Sequence, residues 1–221
     1  MKLARRSWLT VALILAPFVA ASCKKSDEPP VGSGVGAKRT LELGGFTKLQ
    51  VSGALEVNVR VGKREPLEIR GDDNLIPLVT ARLEGDRLIV GIDRRVKKKQ
   101  PLRVDVGTEA LTAVNLAIAA KARIQGVKAE HFEVRAAGGS ELVASGSSAE
   151  VDVATKSAAR VDLTDFSNAL AVVNTADASR VKLGHAETLK VTLTGLSQVR
   201  YRGDPTLEQH ITRPARLIRE N

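Results

Sequence analysis

Five rows of alternating apolar and polar residues follow one another along this chain, and they limit its possible folds more than any other feature. Their starts lie 18 to 20 residues apart, and each row has small residues near its centre. The rows are VNLAIAAKARI (114–124), FEVRAAGGSEL (132–142), VDVATKSAARV (151–161), AVVNTADASRV (171–181) and LKVTLTGLSQV (189–199). A repeat of this length with a two-residue period is typical of stacked β-coils and not of a helical repeat. We therefore predict an all-β fold, a single-stranded parallel β-helix.

The alignment of the rows also predicts which side chains stack on one another. One inward column would hold Val114, Phe132, Val151, Ala171 and Leu189, and a second would hold Ile124, Leu142, Val161, Val181 and Val199. An outward ladder would hold Arg123, Glu141, Arg160, Arg180 and Gln198. Like charges beside each other repel. Arg160 next to Arg180 therefore points to an anionic partner, although a solvated face explains the pair equally well. The small row centres predict either sharp bends of the chain or a close approach of neighbouring coils.

The first 22 residues have the composition of an export signal, in which basic residues precede an apolar stretch and then small residues. Cys23 is the only cysteine of the chain. It lies where a lipoprotein signal peptidase cuts and resembles the acylated cysteine of the bacterial lipobox, although Ala20 stands where Leu is usual. We expect lipidation at Cys23 and an exported lipoprotein of the bacterial cell envelope, anchored at the outer membrane. A simple secretory signal is the alternative.

The remaining chain divides by composition. Gly, Pro and Ser are frequent in residues 23–38, which predicts a flexible tether. The β-helix domain would then span 39–207, with irregular strands at one end as a cap. That cap would include a hairpin around Gly85-Asp86, because such a dipeptide favours a tight turn. Residues 208–221 are expected to form a polar C-terminal tail over or beside the other end.

The charge and aromatic content limit the partners. The formal net charge is +9, and it falls to +6 when Lys2, Arg5 and Arg6 of the export signal are removed. This excess favours anionic surfaces such as lipid headgroups or acidic polysaccharide. Aromatic residues make up only 3% of the chain, which argues against base stacking and hence against nucleic acid. The expected partners are a membrane, through the lipid anchor, and a polysaccharide or an envelope protein.

One run of basic residues is the sharpest charge feature. It consists of Arg94, Arg95, Lys97, Lys98 and Lys99. The run could dock on lipid headgroups or acidic glycans. Alternatively, it is a solvated link between strands whose charge prevents edge pairing.

Neither a catalytic group nor a metal site is indicated. The histidines are scattered singly, no row brings two of them to ligand spacing, and no nucleophile or nucleotide-binding motif occurs. Some β-helices cleave polysaccharides with clustered acids and aromatic platforms. Here the acids at Asp152, Asp162 and Asp177 lie at outward or corner positions without an aromatic neighbour in the row. We expect surface acids, no cofactor and no enzyme.

Several segments occur in an order that resembles a known bacterial family. They are FTKLQVSG (46–53), LEVNV (55–59), GDDNL (71–75), LEGDRL (83–88) and YRGDP (201–205), with the repeated rows between the last two. Together they are similar to the putative auto-transporter adhesin, head GIN domain family of exported proteins. The resemblance implies a parallel β-helix over about residues 40–206. Only the rows at Gly138 and Gly195 keep the glycine that the family tends to place in each row.

These observations favour a non-enzymatic envelope lipoprotein that displays a β-helix for adhesion or scaffolding, toward anionic glycan or lipid surfaces. Two alternatives remain open. One is an enzyme that acts on envelope polysaccharide. The other is a purely structural subunit that stacks through its end edges.

Overall fold

The structure, a computed structural model, describes residues 28–220, and it is built almost entirely of β-strands. The predicted export signal and Cys23 lie outside the described residues. The strands form a parallel β-solenoid of about five turns, which confirms the predicted fold class. No helix in the described part is long and apolar enough to cross a membrane.

Seven strands and one 3-10 turn precede the regular rows. They are β1 (Gly36–Leu41), β2 (Lys48–Ser52), β3 (Glu56–Val61), β4 (Glu65–Asp72), the turn Ile76–Leu78, β5 (Thr80–Glu84), β6 (Arg87–Gly91) and β7 (Arg103–Thr108). Ten strands follow. They are β8 (Ala113–Ala117), β9 (Lys121–Ala136), β10 (Glu141–Thr155), β11 (Arg160–Leu163), β12 (Phe166–Thr175), β13 (Arg180–Leu183), β14 (Ala186–Leu193), β15 (Gln198–Arg202), β16 (Thr206–Ile211) and β17 (Arg216–Glu220).

Hydrogen bonds connect all of these strands into one sheet, which wraps into two faces because β9 and β10 take part in both. The first face contains, in order, β5, β6, β2, β8, the second halves of β9 and β10, β12, β14 and β16. The second face contains β1, β4, β7, β3, the first halves of β9 and β10, β11, β13, β15 and β17.

Alternation puts every second side chain of each strand into the space between the faces. The core is made mainly of Val, Leu, Ile and Ala, with few large rings. Phe132 and Phe166 are both buried, and their rings stack with 5.5 Å between centroids. Such small and β-branched side chains suit a narrow core between two pleated sheets.

The N-terminal end is capped as predicted, and the cap includes the expected hairpin. Strands β5 and β6 are antiparallel, with Leu83 opposite Leu88 and Gly85 at φ 60° in the turn. Strands β1, β4 and β7 are antiparallel neighbours on the other face. The path of the chain is less regular than expected, because β2 and β3 lie between the β6–β7 coil and the β8–β9 coil.

The folded domain begins before residue 39, so the predicted boundary of the tether is corrected. Val31 forms a parallel bridge with Lys97, and β1 begins at Gly36. The buried carboxylate of Asp72 accepts backbone N–H bonds from Gly34, Lys99 and Gln100 at 2.8–3.1 Å. Residues 31–38 are therefore held by hydrogen bonds despite their low content of bulky apolar groups.

The predicted polar tail is also corrected, since it forms the last coil of the solenoid. β16 pairs in parallel with β14, and β17 pairs with β15. The coil was hidden in the sequence for two reasons. Gln209 occupies the register position next to buried Val191, and Pro214 stands in the turn between the two strands.

The stacking columns are confirmed from the second row onward, and the first row is shifted by two residues. Phe132, Val151, Ala171 and Leu189 are register partners, as are Leu142, Val161, Val181 and Val199. In contrast to the prediction, Val114 pairs with Val134 and Ile124 pairs with Ala144. In the outward ladder, Arg123 pairs with Val143, and Lys121 takes its place beside Glu141.

The small row centres are sharp turns, as predicted, although most of them lack glycine. In four rows two consecutive residues have positive φ: Ile118-Ala119, Gly138-Gly139, Ser157-Ala158 and Asp177-Ala178. Successive turns are joined by backbone N–H···O bonds of 2.9 Å, from Ala119 to Gly138, Gly139 to Ser157 and Ala158 to Asp177. This hydrogen-bonded stack holds residues in a conformation that non-glycine residues otherwise avoid.

Candidate functional site

One outward ladder on the second face brings charged side chains of successive strands together. We call it the charge ladder. Its rungs from β7 to β17, in spatial order, are Arg103, Glu56, Lys121, Glu141, Arg160, Arg180, Gln198 and Arg216. On the cap strands β4 and β1 the same position holds Arg70 and Lys38, which both pair with Glu68. Because neighbouring strands lie about 4.8 Å apart, side chains on successive rungs are within reach of one another.

The N-terminal half of the charge ladder alternates in sign. Arg103 Nε lies 3.0 Å from a Glu56 carboxylate oxygen, and Lys121 Nζ lies 3.0 Å from Glu141. Arg160 contacts the other oxygen of Glu141 at 2.9 Å. The hydrogen bond from Lys121 holds the pKa of Glu141 below its ordinary value, partial burial opposes this, and Arg160 lowers it further. Each cation in this half therefore has a carboxylate neighbour.

The alternation ends after Arg160. The next rung is Arg180, followed by Gln198 and Arg216. Within the part of the chain that the structure describes, neither Arg180 nor Arg216 has a carboxylate oxygen within 4.0 Å. Arg160 and Arg180 are thus register partners on parallel strands. Like charges in this arrangement destabilise the sheet.

A second outward ladder runs beside the first, two residues further along each strand. In it Asp162 is followed by Lys182 and then by Arg200. Arg200 contacts Glu220 at 3.1 Å, while Lys182 has no carboxylate within 4.0 Å among residues 28–220. The two ladders enclose a groove of about 340 Å³. We call it the arginine groove and define it by Arg180, Lys182, Gln198 and Arg200.

The basic run predicted as a contact surface lies at the opposite end of the solenoid, in the link between β6 and β7. Lys98 Nζ donates to the Ala54 carbonyl at 2.7 Å, and Lys99 Nζ donates to the Ser33 carbonyl at 3.2 Å. Arg94 lies 3.4 Å from Asp93. The run is therefore part of the N-terminal cap, with some of its charges bound to backbone carbonyls and its side chains otherwise exposed.

The first face carries a groove of about 540 Å³ between two outward ladders of small and polar side chains. Asn115, Arg135, Ala154, Asn174 and Thr192 are consecutive register partners along it. Arg135 pairs with Glu133 of its own strand. The lining holds no carboxylate, so this groove offers hydrogen-bond donors and acceptors without an acid–base pair.

The acids and histidines do not converge. Asp162 accepts hydrogen bonds from the backbone and side chain of Thr164 in a turn, and Asp177 lies in a row turn. His131 faces Glu150 at 3.7 Å, while His210 is on β16 at the far edge. No group of three His, Cys, Asp or Glu side chains capable of holding a metal occurs among residues 28–220.

Lys182 and Arg200 were missed by the reasoning from sequence, as was the rung Lys121. The signal was present, because each row has a second outward position two residues after the first. Comparing only one position per row left the second ladder out. Lys121 was missed because the first row is shifted by two residues against the others, and such a shift leaves the alternation of apolar and polar residues unchanged.

The chain resembles known proteins in sequence family and in fold. A family model described as "Putative auto-transporter adhesin, head GIN domain" matches residues 45–205. The crystal structure of a putative adhesin from Bacteroides fragilis has a TM-score of 0.68 at 13% identity, over 86% of this chain and 98% of that one.

Two further solved structures share the fold. A putative adhesin from Parabacteroides merdae has a TM-score of 0.58 at 14% identity, over 86% of this chain and 98% of that one. A putative lipid binding protein from Parabacteroides distasonis has a TM-score of 0.54 at 14% identity, over 88% of this chain and 100% of that one. At these identities the likeness shows a common fold. No curated protein matches the chain.

Proposed function

The chain belongs to the putative auto-transporter adhesin, head GIN domain family, and from this membership we propose that it is an exported, non-enzymatic protein that displays a β-solenoid at the bacterial cell surface for adhesion. The observation that carries the proposal is the regularity of its outer faces. Side chains of one register position are repeated from strand to strand along the stack. Such ladders form an extended contact surface on a rigid support.

The ionisation of the acids supports a role without catalysis. A general acid needs a carboxyl group whose pKa is raised toward neutrality. In the described residues, the carboxyl groups with a clear shift have a lowered pKa: Glu68, Asp72, Asp86 and Glu141. For Glu68, Asp86 and Glu141 the largest cause is a hydrogen bond from a lysine or arginine neighbour. Their chemistry is that of surface ion pairs.

Acylation at Cys23 would give this surface an orientation. The described chain enters the fold at the N-terminal cap, where Val31 pairs with Lys97. A lipid anchor a few residues earlier would hold the capped end close to the membrane and direct the last coils away from it. The basic run Arg94–Lys99 would then face anionic headgroups, and the arginine groove would face outward. Replacing Cys23 with Ala should move the protein from the membrane fraction to the soluble fraction.

The adhesion proposal is tested with a glycan and lipid array. The full chain, extracted in mild detergent, is used as the probe, and soluble products are measured in parallel on polysaccharide substrates. Binding without release of oligosaccharides supports the proposal. Release of oligosaccharides would contradict it and favour the enzyme alternative, and silence on all surfaces would also contradict it.

A structural, self-stacking role is the second candidate, and one observation favours it. Among the described strands, none pairs with the outer edges of β16 and β17, and Leu207 on β16 is 39% exposed. Unpaired edges can join a second chain. Sedimentation velocity at rising protein concentration tests this role. A single monomeric species at all concentrations would rule it out, whereas a series of growing oligomers would support it.

A further inference from the structure

We infer that the arginine groove binds an acidic polysaccharide, whose carboxylate or sulfate groups contact Arg180, Lys182 and Arg200. The inference deepens the proposed adhesion function and rests on it, because it assigns the site and the ligand class of the same outer surface. The basic run at the other end of the solenoid is not part of this site.

The first argument is charge. In the last coils the two outward ladders contribute the cations Arg160, Arg180, Arg216, Lys182 and Arg200. The acids Glu141 and Glu220 contact two of them, at 2.9 Å and 3.1 Å. Arg180 and Lys182 lie side by side in the groove without a carboxylate within 4.0 Å in the described part of the chain. Asp162 is the register partner of Lys182, and its carboxylate accepts hydrogen bonds from Thr164. The free protein thus keeps Arg180 beside both Arg160 and Lys182, and an anionic ligand would reduce that repulsion.

The second argument is the spacing of the cations. Successive strands of a sheet repeat about every 4.8 Å, so the groove presents cations at short regular intervals. Arg180 and Lys182 are on β13, and Arg200 is on the neighbouring β15. A ligand that carries several anionic groups in a row matches this repeat and can contact all three cations at once. A chain of acidic sugars does this, and its hydroxyl groups can also pair with the side-chain amide of Gln198.

The third argument separates a glycan from a membrane. Protein segments that insert into a membrane surface combine cations with exposed apolar side chains that enter the lipid. The exposed large apolar residues in the described region are Val31, Val35, Ile118, Val143, Leu196 and Leu207. None of them lines the arginine groove, and the valine that does, Val181, is 1% exposed. The groove is therefore built for contact with a polar, charged ligand.

The experiment measures affinity for a defined probe. The full chain is captured on a sensor surface, washed free of detergent and exposed to polygalacturonate, to neutral dextran, or to phosphatidylglycerol nanodiscs. We expect binding to polygalacturonate that weakens with added salt, and no binding to dextran. The double substitution Arg180→Gln with Lys182→Gln should lower the affinity for polygalacturonate about tenfold or more, which corresponds to about 1.4 kcal/mol.

The matched control is Arg94→Gln with Arg95→Gln, which removes the same charge at the other end of the solenoid. Its affinity should stay close to that of the wild type. An equal loss in both variants would overturn the groove as the site, since net charge alone would then explain binding. A loss confined to the control would move the site to the basic run. Tighter binding to nanodiscs than to polygalacturonate would overturn the ligand class.

Two further measurements keep the outcomes separable. Urea unfolding of both variants shows whether they fold, and removal of a repelled cation should leave the midpoint for Arg180→Gln with Lys182→Gln unchanged or higher. A wild type that binds neutral glycans of the array but neither polygalacturonate nor sulfated glycans overturns this inference while adhesion stands. A wild type that binds nothing on the array overturns both.

Discussion

Arg180 on β13 is the direct register partner of Arg160 on β11, although every earlier rung from Arg103 to Arg160 places a cation beside a carboxylate. The side chain of Arg160 still reaches back to Glu141, whereas Arg180 has no acidic partner within 4.0 Å among residues 28–220. The change from alternating to like charge divides the charge ladder into a half in which each cation has a carboxylate neighbour and a half in which Arg180 and Arg216 have none within 4.0 Å among the described residues.

Replacing Arg180 with Glu should stabilise the free protein. The substitution places a carboxylate between Arg160 and Gln198 and extends the alternation by one rung. Opposite charges across strands contribute about 0.2–1 kcal/mol, so the urea midpoint should rise at low salt and the gain should shrink at high salt.

The control is Lys121→Glu, which places a third carboxylate between Glu56 and Glu141. This variant should lower the urea midpoint by a similar amount. If both variants move the midpoint in the same direction, charge alternation does not determine the stability of the ladder.

Ile118→Gly should stabilise the protein by about 0.5 kcal/mol, because a β-branched residue is held there at φ 55°. The free energy gained by removing that strained conformation should exceed the entropy cost of the more flexible unfolded chain that glycine brings. Leu196→Gly is the control, because Leu196 is at the corresponding turn of the fifth row without a positive φ. Leu196→Gly should therefore lower the stability of the protein, because it adds flexibility to the unfolded chain and relieves no strain. Thermal unfolding of both variants measures the difference, and a lower Tm for Ile118→Gly would contradict the prediction.

Two glycine-to-alanine substitutions should differ sharply. A Cβ at Gly146 would lie 2.2 Å from the Val127 carbonyl oxygen, whereas a Cβ at Gly139 has no neighbour within 4 Å. Gly146→Ala should therefore cost about 1–3 kcal/mol or more through overpacking at the bend of β10. Gly139→Ala should cost less, about 1 kcal/mol, because its only penalty is the φ of 71°, a left-handed conformation that Ala119, Ala158 and Ala178 also adopt in other rows. If urea unfolding showed comparable losses of stability for Gly146→Ala and Gly139→Ala, the backbone at Gly146 would have to relax around the added Cβ.

Acid should loosen the N-terminal arm through Asp72. Burial alone raises the pKa of Asp72, but backbone N–H bonds from Gln100, Gly34 and Lys99 outweigh it, and the folded-state pKa lies below the ordinary value. A lowered pKa means that the stabilisation is complete above the unfolded pKa, about 3.9, and is lost as pH falls through the folded pKa. Hydrogen exchange of the Gly34 and Lys99 amides, corrected for intrinsic rates, should therefore accelerate only in that acidic range.

The controls for this pH effect are two substitutions. In the Asp72→Asn variant, the Gly34 and Lys99 amides should exchange fast already at neutral pH, and their exchange should lose most of its dependence on acid. Asp93→Asn removes an exposed acid in the same region, and it should behave as the wild type. Protection of the Gly34 amide that persists in Asp72→Asn would show that the carboxylate does not hold the arm.

Much of the fold could be read from local features of the chain. The turn residues Gly85-Asp86 indicated the hairpin correctly, because such a turn depends on the dihedral angles of its own residues. The small row centres indicated the bends for the same reason. The site was harder to predict. The alignment of one outward position per row predicted the pair Arg160–Arg180. Lys182 and Arg200 belong to the arginine groove only because β13 and β15 are neighbours in space.

The sequence by itself determined the all-β class, the stacked rows and the positions of their turns, because alternation and turn preference are properties of neighbouring residues. Only the tertiary structure decided the register of the first row, the insertion of β2 and β3 between later coils, and the last coil at Thr206–Glu220. The physical reason is the two-residue period of a strand, since a shift by two keeps every apolar side chain inside. The hydrogen bonds between stacked turns, such as Ala119 to Gly138, select one register among these equivalents.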